Sequence, residues 1–145
     1  MKIRLPASVL ANKIDETVPT LNGNVAPMRF LVVDDEEQCL KVVSRYLSAD
    51  GHRFELARGG KSALEKFHAG TFDVVLTDRA MPDINGDAVA AEIQRSSPHT
   101  PVIMMTGFGN MMIDENDYPK GVALVLSKPI TLNDLRRAIV AVQDH

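Results

Sequence analysis

Four stretches of this sequence run from apolar residues into groups that can do polar chemistry. Phe30-Leu-Val-Val33 ends in Asp34-Asp35. Phe72-Asp-Val-Val-Leu-Thr77 ends in Asp78. Pro101-Val-Ile-Met-Met105 ends in Thr106-Gly107, and Val122-Ala-Leu-Val-Leu126 ends in Ser127-Lys128-Pro129. If the four stretches are parallel strands, three acids, a hydroxyl and an ammonium converge on one spot. Three carboxylates in one cleft repel each other. With Lys128 they leave two net negative charges, which one divalent hard cation balances. Oxygen-only donors suit Mg²⁺ or Mn²⁺, with water completing an octahedron. An Asp beside such a cation and an ammonium is also a competent nucleophile toward phosphorus. The cation and Lys128 would neutralise charge growing on the phosphoryl oxygens, and the Thr106 hydroxyl could hydrogen-bond one of them.

Taken singly, each of these residues has an ordinary explanation. Asp34-Asp35 caps a helix, Asp78 is a loop acid, Thr106-Gly107 is a turn, and Lys128-Pro129 precedes a helix. Their joint occurrence at four strand ends is what argues for a site. Elsewhere the ordinary readings win. Cys39 lies in a helical stripe and reads as packing. The histidines at 52, 68, 99 and 145 are too scattered for a metal cluster. Arg136-Arg137 reads as a solvated helix face.

The elements that must position these groups alternate along the chain. After the strand Phe30–Val33, a helix over Glu36–Ser48 carries Leu40, Val43 and Leu47 inward. Asp35 is its expected N-cap and Asp50-Gly51 its end. A short strand over His52–Ala57, a helix over Gly60–His68 and the strand Phe72–Thr77 follow. Asp87–Arg95 is expected to be a helix with Ala88, Val89, Ala91 and Ile93 inward. Asn110–Lys120 is the weakest element: Met111-Met112-Ile113 suits a helix, but Asp114-Glu-Asn-Asp117 and Pro119 interrupt it. A strand over Val122–Leu126 and a helix over Leu132–Gln143, capped by Thr131 or Asn133, complete the series. Five strands alternating with five helices imply an α/β fold, a doubly wound five-stranded parallel sheet with right-handed crossovers. The half-polar second strand suits an edge, which gives the order 2-1-3-4-5 of flavodoxin-like sheets. The first and third strands are then neighbours at the switch point, where such sheets bind ligands.

A length of 145 residues allows one domain with a full core. Residues 28–145 carry the alternating pattern; residues 1–27 read as a tail or linker, in which Asn12–Pro27 mixes Asn, Thr, Pro, Gly and charges with no sustained period. The net charge of -3 gives no bulk attraction to nucleic acid. The lone Cys39 suits a reducing cytoplasm. No apolar run approaches the ~18 residues a bilayer span needs. Met1–Ala11 is broken too soon by Pro6 and Ser8 to be a signal peptide.

The set Asp34-Asp35, Asp78 with Met81-Pro82, Thr106-Gly107 and Lys128-Pro129 resembles the response regulator receiver (CheY-like) domain of two-component systems. The resemblance covers Met28 to the carboxyl end. It implies a phosphoacceptor role for Asp78, in a signalling module rather than a conventional enzyme. It implies Mg²⁺ held by Asp35, by Asp34 at least through water, by Asp78 and by the Ala80 backbone carbonyl. It further implies that Lys128 pairs with the acids and then the phosphoryl group, that Thr106 is a switch hydroxyl, and that the Lys128–Pro129 bond is cis. The implied partner is a phosphohistidine donor, a histidine kinase or phosphotransfer domain. A homodimer through the face of the fourth helix, fifth strand and fifth helix is a further expectation, with no direct nucleic-acid or membrane contact. Val125 departs from the pattern, because the family usually has an aromatic residue there, and Phe108 sets a bulky group at the site's rim. Lys2-Ile-Arg-Leu-Pro6 resembles the last strand of a histidine-kinase ATP-binding domain. A hybrid sensor kinase fragment and a single-domain regulator both fit that layout.

Two other classes fit less well. An aspartate-nucleophile phosphatase on a similar sheet would place an Asp-x-Asp pattern after its first strand, and adjacent acids stand there instead. A flavin mononucleotide binder needs a Ser/Thr/Gly phosphate loop at that point, where Asp34-Asp-Glu-Glu37 would repel phosphate.

Overall fold

The computed structural model describes residues 26–107 and 119–143. The strands are β1 (Arg29–Val33), β2 (Arg53–Ala57), β3 (Val74–Asp78), β4 (Val102–Thr106) and β5 (Leu124–Ser127). The helices are α1 (Glu37–Ala49), α2 (Gly60–Ala69), α3 (Gly86–Ser96) and α4 (Leu132–Gln143). The strands form one parallel sheet in the order β2-β1-β3-β4-β5, as the pattern led one to expect. The weak helix expected over Asn110–Lys120, with Phe108 before it, falls mainly outside the described residues. So does the expected tail, apart from residues 26 and 27.

Period-two alternation along the strands builds two cores. Phe30, Val32, Leu76, Ile103 and Met105 face α1 and α4, whose Leu40, Val43, Leu47, Leu135, Ile139 and Val142 meet them. Leu31, Val33, Val75 and Val102 face α2 and α3, with Ala63, Phe67, Val89, Ala90 and Ile93. All five residues of β3 and of β4 are buried. Such strands must be apolar on both faces, which is why they read as continuous hydrophobic runs. Edge strand β2 is half-exposed, in keeping with its half-polar sequence.

Three local expectations need correction. In α3 the inward residues are Gly86, Val89, Ala90 and Ile93, whereas Ala88 and Ala91 are exposed. The helical phase is set by the large Val89 and Ile93, and Ala90 follows Val89 around the same face. In α1 the N-cap position is Glu36, without a side-chain cap, rather than Asp35. The Glu36 N–H instead donates to Asp34 Oδ1 at 2.8 Å. In α4 Arg136 is not solvated: it grips Asp50, the C-cap of α1, through Nε at 2.9 Å and Nη2 at 2.7 Å. Thr131 caps α4, its hydroxyl accepting from the Asp134 N–H at 3.1 Å. At the end of the sheet opposite the polar strand termini, Gln143 Nε2 lies 3.7 Å from Met28 Sδ.

Candidate phosphoacceptor site

The parallel register delivers the polar residues together. Val33 pairs with Thr77, so Asp34 and Asp78 leave neighbouring strands at one level. Asp78 pairs with Met105, and Thr106 with Ser127, which brings Thr106 and Lys128 to the same edge. Backbone bonds continue the ladder beyond the side chains. Asp34 N–H donates to Ala57 O, Arg79 N–H to Met105 O, and Lys128 N–H to Thr106 O, at 3.0–3.1 Å.

Asp34, Asp35 and Asp78 each place a carboxylate oxygen within 4.8 Å of the others. Asp34 is fully buried and Asp78 nearly so, while Asp35 is exposed. Lys128 Nζ lies 2.8 Å from Asp34 Oδ2, 3.1 Å from Asp78 Oδ1 and 3.3 Å from Glu36 Oε1. The contact to Asp34 Oδ2 is ionic without the alignment of a hydrogen bond, so that buried oxygen keeps unused acceptor capacity. An under-satisfied carboxylate oxygen among other acids is a fit for a hard cation. The donor set is all oxygen, as such an ion prefers. Thr106 is buried, and Ala80 lines the same cleft as Asp35, Asp78 and Lys128. All six residues singled out in the sequence therefore meet in one place.

The charges tune one another. Burial pushes the Asp78 carboxyl up from its ordinary value, and the Asp34 carboxylate adds to that; Lys128 pulls the other way. Burial alone would lower Lys128, but its contacts with Asp34 and Asp78 outweigh it and raise the ammonium above its usual range. The Cys39 thiol, half-buried against the first core, is pushed up to about 12 by burial and then by Asp34. It is a protonated packing group, as its helical position implied. The Lys128–Pro129 peptide bond is cis, in keeping with the resemblance. Val125, at the position of the family's aromatic residue, is half-buried and registers with Met104.

Glu36 is a member of this site that the strand-end pattern did not single out, although the run Asp34-Asp-Glu-Glu37 signals it. The strand-end pattern did not single out Asp83 either. It sits in the loop after β3, and its carboxylate accepts from backbone N–H groups of α2.

The chain matches the response regulator receiver domain family over residues 30–140. It belongs to that family. Among curated proteins, this receiver domain is 32% identical over 113 residues to the transcriptional regulatory protein TcrA of Mycobacterium tuberculosis, covering 78% of this chain and 45% of that protein. It is 33% identical over 126 residues to the autoinducer 1 sensor kinase/phosphatase LuxN of Vibrio campbellii, covering 86% of this chain and 14% of that protein. The chain thus spans less than half the length of these relatives. Among solved structures, a receiver domain from Clostridium thermocellum superposes with a TM-score of 0.72 at 32% identity, over 81% of this chain and 94% of that one. The response regulator TrrA from Thermotoga maritima, in complex with Mg²⁺-BeF, gives 0.71 at 28% identity, over 79% and 98%. Chemotaxis protein CheY4 of Vibrio cholerae, which shares the fold, gives 0.72 at 28% identity, over 81% and 99%. Among the described residues no helix is long and apolar enough to cross a membrane.

Proposed function

We propose that this receiver domain accepts a phosphoryl group on Asp78 from a phosphohistidine of a histidine kinase or phosphotransfer domain, and that the modification alters partner binding. The observation that carries this reading is the placement of Asp78. It stands at the end of a fully buried central strand, 3.1 Å from Lys128 Nζ and beside Asp34 and Asp35. Asp35, Asp34, Asp78 and the Ala80 carbonyl would hold a Mg²⁺ ion, which would supply positive charge for the transferring phosphoryl group. The TrrA complex with Mg²⁺-BeF supports that choice of ion.

The chain's own residues do the rest. A carboxylate oxygen of Asp78 attacks phosphorus while the P–N bond to the donor imidazole breaks. The imidazole nitrogen leaves with the electron pair and takes a proton from solvent. Lys128 holds the charged, nucleophilic form of Asp78 before transfer and then pairs with a phosphoryl oxygen. Thr106, buried at the neighbouring strand end, donates its hydroxyl to another. Val125 is too small and too stiff at χ1 to act as a swinging aromatic readout. A cytoplasmic setting suits the kinase donor. The phosphatase alternative loses ground because that class places an Asp-x-Asp pattern after its first strand, where this chain has the adjacent acids Asp34-Asp35.

Incubation with acetyl phosphate and Mg²⁺ should add one acid-stable, base-labile phosphoryl group, read by intact mass. Asp78→Asn should gain none, since an amide cannot attack. Label retained on Asp78→Asn would assign the acceptor role to another residue.

A further inference from the structure

Helix α2 begins without a cap of its own. Its N-cap position is Gly59, which has no side chain to offer. The first N–H groups of a helix have no partners within it. Here they are met from another element. Asp83, in the β3–α3 loop, accepts from the Gly60 N–H through Oδ1 and from the Lys61 N–H through Oδ2, both at 3.1 Å. Its Oδ1 also accepts from the Ile84 N–H at 2.7 Å, which fixes the carboxylate relative to its own loop. A negative charge is favoured at this end of a helix.

The fit depends on two glycines. A Cβ on Gly59 would lie 2.9 Å from Asp83 Oδ2. A Cβ on Gly60 would lie 2.6 Å from both the Cβ and the carbonyl oxygen of Ile84. At Gly60 the Ile84 backbone leaves no room for a side chain, and at Gly59 a Cβ would push the Asp83 carboxylate aside, so the sequence Gly59-Gly60 is what lets the loop close on the helix.

The same loop borders the acid cluster. It leaves β3 at Asp78 and carries Ala80, which lines the cleft with Asp35, Thr106 and Lys128. Arg79 N–H is anchored to Met105 O at 3.0 Å, and Gly86 N–H to Arg79 O at 2.8 Å. Between these anchors Met81 is buried in the second core, and Asp83 supplies the polar tie. We propose that Asp83 is a positioning residue for the cation site, capping α2 from outside so that the loop holds the Ala80 carbonyl beside the carboxylates. The proposal rests on the Mg²⁺ and phosphoacceptor reading above. It assigns a part of the site's cation affinity to a side chain that does not touch the ion.

The test compares wild type with Asp83→Ala, Asp83→Asn and Gly59→Ala. Mg²⁺ binding is read by calorimetry, and amide exchange is read at Gly60 and Lys61. Asp83→Ala should expose both amides to fast exchange and weaken Mg²⁺ about tenfold, the low end of what losing an outer-shell partner costs a metal site. Asp83→Asn keeps an acceptor oxygen and should recover much of that affinity. Gly59→Ala keeps the carboxylate but displaces it, and should weaken Mg²⁺ in the same direction. Phosphorylation of Asp83→Ala by acetyl phosphate should return to the wild-type rate at saturating Mg²⁺, a split that general loss of stability does not produce. Fast exchange at Gly60 and Lys61 with unchanged Mg²⁺ affinity would overturn the proposal, as would protection that survives the loss of the carboxylate. Wild-type protein that binds no Mg²⁺ would remove the underlying site reading and this proposal with it, whereas normal wild-type binding confines any failure to Asp83.

Discussion

Arg136 and Asp50 form a two-pronged ion pair between the last helix and the end of the first, 86 positions apart in sequence, with side chains only 15% and 10% exposed. Planar guanidinium and carboxylate geometry match here, and burial protects the contact from screening. Removing one partner leaves the other poorly solvated. Arg136→Met should therefore cost about 2–3 kcal/mol, a little less than breaking a wholly buried pair. In urea denaturation the double variant Arg136→Met, Asp50→Asn should recover part of that loss. Additive losses would mean the two residues act independently.

His52 predicts a pH dependence of stability. It is buried, accepts the Met28 N–H on Nδ1 at 3.0 Å, and packs edge-on to Phe30 with ring centroids 5.0 Å apart. Burial lowers its pKa below the ordinary 6.5, with Asp50 opposing more weakly. The folded state thus holds the neutral ring, and the unfolded state takes up the proton first. Its contribution is full above pH 6.5 and is lost as pH falls through the lower folded value. Unfolding free energies across that interval should decline with acid by up to about 1.4 kcal/mol per pH unit from this group. His52→Asn should flatten that slope, and an unaltered slope would point to other groups.

Asp35 predicts a trade between apo stability and cation response. It is the exposed member of a cluster of three acids. Asp35→Ala should stabilise the cation-free protein by about 1 kcal/mol, the scale of one like-charge contact near water. Wild type should gain about 2.7 kcal/mol at a Mg²⁺ concentration one hundred times its dissociation constant. The variant should gain little. Thermal melts with and without Mg²⁺ decide, and an equal upward shift in both proteins would move the cation site away from Asp35.

Gly86 reverses a common rule. Replacing a helical glycine by alanine ordinarily stabilises by about 1 kcal/mol. At Gly86 the new Cβ would stand 2.3 Å from the Asp78 carbonyl oxygen and 2.8 Å from Arg79 Cα. Both are backbone atoms, so the β3–α3 loop must move. Gly86→Ala should destabilise by about 1–3 kcal/mol and slow labelling of Asp78. A more stable variant with normal labelling would show that the loop has slack there.

The sheet and the acid cluster were legible in the sequence because each central strand is apolar on both faces and stops at a polar residue. Val74-Val-Leu-Thr-Asp78 states both its burial and its end in five letters. What was not legible has non-local causes. Arg136 reads as a surface residue because no helical period reports a partner in another helix. Asp83 reads as a turn acid because its donors lie 23 and 22 positions upstream. Ala88, Ala90 and Ala91 are too small to declare which side they occupy, so the phase of α3 is carried by Val89 and Ile93 alone.

The contact of Gln143 with Met28 brings the end of α4 back beside the start of β1 at the floor of the sheet, with the carboxylates at its roof. A bond between these two points would therefore lie on the far side of the sheet from Asp78. A short bridge from Gln143 to Met28, with the chain reopened in another loop, would not thread a strand past Asp78. Such a circular permutant would keep the cleft at Asp78 clear, because the bridge and the acid cluster occupy opposite poles.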